Sequence, residues 1–93
     1  VVLATLREAL GGGFPAAVRL AAVKAQRDTK DPESFPLLRA IAAGNDPEAL
    51  RGEALTTLGA VRDPDAVALL AGVAGDEKNP VELRGKAISA ITL

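Results

Sequence analysis

Three arginines, Arg19, Arg51 and Arg84, stand 32 and then 33 residues apart. Each sits inside the same short phrase: Val18-Arg19-Leu20-Ala21-Ala22-Val23, Leu50-Arg51-Gly52-Glu53-Ala54-Leu55 and Leu83-Arg84-Gly85-Lys86-Ala87-Ile88. A guanidinium is a permanently charged, planar fork of donors, so a regular row of them suits phosphates, carboxylates or backbone carbonyls. Tracking a nucleic-acid backbone is one chemistry such a row offers. The chain has no tryptophan or tyrosine for base contacts and a formal net charge of -1, which argues against that use. Structural bonding to loop acids is the favoured reading, with Asp28, Asp31, Asp46, Asp63 and Asp76 as available partners and direct ligand recognition as the alternative.

The carboxylates are the other residues with chemical potential. Asp28, Asp31, Asp46 and Asp63 fall at turns and helix starts, where local hydrogen bonding is reason enough for them. Asp76-Glu77 lacks the spacing of a calcium loop, and no histidine or cysteine is present to complete a metal site or a nucleophile-base pair. Gly11-Gly12-Gly13 lacks the lysine and hydroxyl residue of a phosphate-binding loop, and reads as a helix stop. The expectation is therefore a protein that is not an enzyme, with no catalytic residues, no cofactor and no metal.

Stepping along the chain, each arginine phrase follows a proline, at Pro15, Pro47 and Pro80. A second signal alternates with the first: Asp31-Pro32 and Asp63-Pro64 lead into Leu37-Leu38 and Leu69-Leu70. A period of this length marks a solenoid, in which each unit packs on its neighbours. Apolar residues spaced by three and four predict helices over 2–10, 15–27, 32–43, 47–59, 64–74 and 80–92. Asp31, Asp46, Asp63 and Asn79 precede prolines and are expected to cap the helices that follow. Short connections pair the helices into three antiparallel hairpins, with repeats at 1–30, 31–62 and 63–93.

Composition agrees. Hydrophobic residues make up 48% of the 93, but only Phe14 and Phe35 are aromatic, so alanine and leucine must fill closely packed helix interfaces. No stretch is long and apolar enough to span a membrane, and Val1-Val2-Leu3 is too short for a signal peptide. The chain reads as soluble, with a cytoplasmic location slightly favoured. Val1 enters the first helix without a polar cap, and Leu93 arrives before a closing glycine or aspartate. The expectation is a single domain cut from a longer array, or self-association through the apolar ends at Val1, Val2, Leu3, Ile91 and Leu93.

The sequence of Asp-Pro, an apolar helix, a polar loop and then Leu-Arg with small and branched residues resembles HEAT-like repeats of the phycobilisome-lyase type. Asp63-Pro64-Asp65-Ala66-Val67 with Leu69-Leu70 is one good half-unit, and Leu50-Arg51 through Leu58-Gly59 is another. The first unit departs from the pattern at Gln26, where later units have Leu58 and Ile91. The resemblance implies an all-α, right-handed α-solenoid with the second helices on the inner face and the first helices outside. It also implies a noncatalytic scaffold that binds a protein or peptide, with an architectural spacer or a nucleic-acid-binding module as the alternatives. No bilin-binding constellation accompanies it.

Positions that vary in chemistry between units are the candidates for specificity. Lys24, Thr56 and Ser89 form one equivalent row on the second helices, and Ala21, Glu53 and Lys86 form another. The expected partner-binding set is Lys24, Glu53, Thr56, Lys86 and Ser89. Gly52 and Gly85, which follow two of the arginines inside helices, are expected to mark close backbone packing, since glycine costs about 1 kcal/mol relative to alanine there.

Overall fold

The structure, a computed structural model, describes residues 8–10 and 13–92. Residues 8–10 are helical, and five α-helices follow: α1 (Ala16–Thr29), α2 (Phe35–Ala43), α3 (Glu48–Val61), α4 (Val67–Gly75) and α5 (Val81–Thr92). Among the described residues there is no strand. The arginine-bearing helices α1, α3 and α5 pack side by side as one layer, while α2 and α4 lie in a second layer and touch each other only lightly. The molecule is an all-α solenoid of helical hairpins, 38 × 24 × 15 Å in extent.

The long helices open on proline. Pro15 and Pro47 occupy the N-cap positions of α1 and α3, and their carbonyls accept from the N–H groups three and four residues later. α2 and α4 begin differently, each behind a single 3-10 turn, Pro32–Ser34 and Pro64–Ala66. Asp31 and Asp63 set those turns: their carboxylates accept from the backbone N–H of Glu33 and Asp65, at 3.2 and 3.1 Å. Proline's fixed φ and missing donor suit the position after each aspartate.

α1 and α3 run about half a turn beyond the predicted 15–27 and 47–59. They end at Lys30 and Arg62, both in the left-handed conformation at φ 50° and 57°, whose N–H groups close back on Gln26 and on Leu58 and Gly59. Gly59 therefore lies inside α3, two residues before its last. A carbon placed on it would lie 2.7 Å from the Ala90 Cβ and 2.8 Å from its Cα, so α3 and α5 approach closely there.

The core is continuous along the inner side of both layers. Leu38 and Ile41 of α2, Leu50, Leu55 and Leu58 of α3, Leu70 and Val73 of α4 and Leu83 of α5 are all buried. Ala22, Ala54 and Ala87, equivalent in the three phrases, are buried too and let the helices approach. Gln26 is fully buried at the position later held by Leu58 and Ile91. Its carbonyl oxygen accepts from the Thr29 hydroxyl at 3.2 Å, but its Nε2 has no partner among the described residues.

Candidate functional site

The three arginines do the same thing with one nitrogen and different things with the others. Each Nε donates to a carbonyl at the C-terminal end of the preceding helix of its own hairpin: Arg19 to Leu10 at 3.2 Å, Arg51 to Ala42 at 3.1 Å and Arg84 to Ala74 at 2.9 Å. Those carbonyls belong to the last turn, where helical partners run out, so a cation there satisfies both the hydrogen bond and the helix dipole. The rest of the fork reaches into the next hairpin. Arg19 grips both oxygens of Asp46, at 2.7 and 3.1 Å, and Arg51 donates from Nη2 to the Asn79 Oδ1 at 3.3 Å. The result is a ladder in which all three arginines fix the second helix of a hairpin to its first, and Arg19 and Arg51 also tie it to the hairpin that follows.

Two expected caps are corrected by this ladder. Asp46 does not cap α3, whose N-cap is Pro47 without a side-chain hydrogen bond. Its carboxylate lies instead against Arg19, because a bidentate guanidinium contact outcompetes a single backbone N–H. Asn79 likewise turns away from α5, accepting from Arg51 and donating from Nδ2 to the Val73 carbonyl at 3.2 Å. Asp31 and Asp63 do accept backbone N–H groups, but in the 3-10 turns that precede α2 and α4.

Electrostatics follow the bonds. The hydrogen bond from Arg19 holds the Asp46 carboxyl below the ordinary carboxylate range against the opposing pull of burial, and the nearby charges of Arg19 and Arg51 add to the lowering. Asp46 thus bonds one guanidinium and feels the charge of a second, whereas its counterpart in the next hairpin is the neutral Asn79.

Two further ties were not foreseen from the sequence. Arg39 of α2 donates to the buried Asp63 at 2.6 Å and lies 3.8 Å from Asp65, and Arg27 of α1 pairs with Glu53 of α3. Neither recurs: Ala71 stands where a second Arg39 would, and Gly59 and Lys86 replace Arg27 and Glu53 one unit later. Periodicity, the signal that exposed the ladder, carries no trace of them.

The five residues expected to contact a partner are placed unevenly. Lys24, Lys86 and Ser89 are exposed, and Thr56 is half-buried with its hydroxyl donating to the Gly52 carbonyl at 3.1 Å. Glu53 is held by Arg27, so its charge is committed to the α1–α3 contact. Gly52 is a close approach, since a carbon there would come within 2.9 Å of the Lys86 Nζ, but Gly85 has nothing within 4 Å. The packing expected at Gly85 is thus corrected: among the described residues no helix lies over it.

Among the described residues no group of His, Cys, Asp and Glu is arranged to hold a metal ion. A cleft of about 350 Å³ beside the second rung has Arg51 and Asp76 as its only ionisable lining groups. A guanidinium already bonded to a carbonyl and a carboxamide is no general base. No helix among the described residues is long and apolar enough to cross a membrane. Of the apolar ends, Val1, Val2, Leu3 and Leu93 lie outside the described residues, and Ile91 is exposed.

One comparison with known proteins agrees with the stacked hairpins. No curated protein and no solved structure matches the chain. A family model described as HEAT repeats matches residues 3–92, nearly the whole length. With hairpins stacked in two layers and an arginine recurring at each junction, the chain belongs to the HEAT-repeat family.

Proposed function

We propose that this chain is a noncatalytic interaction scaffold that presents the layer of α1, α3 and α5 to a protein or peptide partner. HEAT repeats commonly serve as protein-interaction scaffolds. The observation that carries the reading here is how side chains are divided along that layer. The row of Arg19, Arg51 and Arg84 is bonded internally, whereas Lys24, Thr56 and Ser89 offer one differing side chain per hairpin beside Lys86. Lys24, Lys86 and Ser89 are the primary specificity residues, with Thr56 and the Arg27-bound Glu53 bordering them. Helices held in place by neighbouring hairpins form a preformed surface, which limits the ordering cost of association.

The reading supports a partner with acidic side chains opposite Lys24 and Lys86. Charge reversal tests it: Lys24→Glu with Lys86→Glu should weaken partner capture from an extract of the producing cell while changing the unfolding free energy by no more than about 0.5 kcal/mol per substitution, as for surface positions. Capture unaffected by the pair would move the binding role elsewhere. Contacts confined to the two ends of the array would make the protein an architectural spacer, and retained nucleic acid would assign it to the third class.

A further inference from the structure

The second rung of the ladder is built differently from the first. Arg19 meets Asp46 with the end of its fork, Nη1 and Nη2 each on one carboxylate oxygen at 2.7 and 3.1 Å. At the next rung Asn79 stands in the place of Asp46 and gives Arg51 a single acceptor, the Oδ1 that Nη2 reaches at 3.3 Å. The bond from Nε to the Ala42 carbonyl holds the guanidinium in place, while Nη1 has no acceptor among the described residues and is open to solvent. A second change falls at the same spot. Gly72 of α4 replaces Ala40 of α2, and a carbon placed on Gly72 would meet nothing within 4 Å. Both changes border the cleft of about 350 Å³, where Arg51, Asp76 and Asn79 face Gly72 across from Asn45 of the α2–α3 connection. The residues lining this cleft lie between 43 and 79, well inside the chain.

We infer that this cleft binds a carboxylate carrying an N–H donor beside it, with Arg51 taking the charge and Asp76 accepting the N–H. An acidic residue of a peptide presents that pair, and so does a free amino acid. The pose comes from the chain itself: Asp46 on Arg19 is what the same fork does with a carboxylate when the same Nε bond holds it. Two carboxylate oxygens match the two terminal nitrogens of a guanidinium, and such charge-assisted bonds are stronger than the one Asn79 supplies. Asp76 sets the second half of the preference. Its Oδ1 accepts from the Lys78 backbone N–H at 2.9 Å, and its Oδ2 has no partner among the described residues. A phosphate would bring further negative charge against this carboxylate, whereas an N–H next to a single carboxylate gives Asp76 a donor. None of Lys24, Lys86 and Ser89 lines the cleft, and the inference does not rest on the scaffold reading.

Amide NMR of the isotope-labelled 93-residue protein tests this, at fixed pH and ionic strength. The probes are aspartate capped as its N-acetyl N-methylamide, free aspartate, the capped asparagine analogue and inorganic phosphate. Capped or free aspartate should shift the signals of Asn45, Arg51, Asp76 and Asn79 saturably, at the roughly millimolar concentrations that a few charge-assisted bonds support. The asparagine analogue should bind about tenfold more weakly, and phosphate more weakly than either aspartate. Tighter binding of the capped compound assigns the cleft to a peptide, and tighter binding of free aspartate assigns it to an amino acid. Two variants keep the fold and alter the cleft. Gly72→Leu puts a side chain where nothing packs and favours the helix, and Asn79→Asp offers Arg51 a carboxylate from within, as Asp46 does for Arg19. Each should weaken aspartate binding about tenfold with the circular dichroism spectrum unchanged. Binding that both variants leave intact, phosphate binding as tightly as the carboxylates, or no saturable shift at these four residues would overturn the proposal.

Discussion

Replacing the three ladder arginines by alanine in turn removes different sets of bonds, so the losses should fall in a fixed order. Arg19→Ala removes the bond to the Leu10 carbonyl and both bonds to Asp46, and strands a carboxylate whose side chain is only 25% exposed. Arg51→Ala removes the bond to Ala42 and the longer one to the neutral Asn79. Arg84→Ala removes only the bond to Ala74. Hydrogen bonds at this partly exposed depth contribute about 0.5–1 kcal/mol each, and the stranded carboxylate adds a little to the first case. The expected losses are about 2–3 kcal/mol for Arg19, about 1–2 for Arg51 and about 0.5–1 for Arg84. At roughly 4–8 °C of midpoint per kcal/mol for a chain of this size, Arg51→Ala should lower the melting midpoint by roughly 4–16 °C. Thermal and urea unfolding followed by far-UV circular dichroism, at one pH and ionic strength, reads all three. A loss for Arg84→Ala as large as that for Arg19→Ala would refute the bond-by-bond reasoning. An Arg51→Ala variant with an unchanged midpoint and abolished partner binding would move the ladder from structure to recognition.

Gln26→Leu should stabilise the protein by about 1–2 kcal/mol, because it removes a buried amide nitrogen without a partner among the described residues and installs the residue that Leu58 supplies one unit later; a lowered urea midpoint would show that Nε2 is satisfied. Gly59→Ala should destabilise, since its new carbon would meet the Ala90 backbone at 2.8 Å and overpacking of about 1–3 kcal/mol exceeds the helix-propensity gain. Gly85→Ala, with nothing within 4 Å, should instead gain about 0.5–1 kcal/mol, and equal effects at the two glycines would contradict the described packing. The Asp46 carboxyl is lowered in the folded state, so its stabilisation is present above the ordinary carboxylate range and is lost as pH falls through the folded value. Midpoints measured across that range should therefore fall less steeply with acid in Asp46→Asn than in the parent chain, and parallel curves would remove Asp46 from the linkage.

Fold and site differed in how much of each could be read from the residues. The repeat was legible because Arg19, Arg51 and Arg84 recur with their alanines and prolines, and the family match and the stacked hairpins agree with it. The helix starts at Pro15 and Pro47 were legible for the same reason. The 3-10 turns at Pro32 and Pro64 were not, since an Asp-Pro step opens either kind of helix and the choice rests on where the aspartate oxygen finds its N–H. Asp46 was misread as a cap because local spacing offers the α3 backbone, while the Arg19 fork that claims it comes from 27 residues away. The Arg39–Asp63 and Arg27–Glu53 pairs occur once each among the described residues, so a method built on recurrence passes over them. Gly52 and Gly85 looked alike in sequence, and only the presence of Lys86 over one of them separates their roles.

The measurement that bears most directly on the scaffold claim is lysine-directed crosslinking of the protein with an extract of the producing cell, mapped by mass spectrometry. Lys24 on α1 and Lys86 on α5 are both exposed on the proposed surface, whereas Lys30 and Lys78 lie in the connections outside the helices. Crosslinks from one protein partner to Lys24 and Lys86, diminished when their charges are reversed, are the predicted result. A partner crosslinked only at Lys30 and Lys78, with Lys24 and Lys86 equally reactive in its presence and absence, would contradict the assignment of the α1, α3 and α5 surface to recognition.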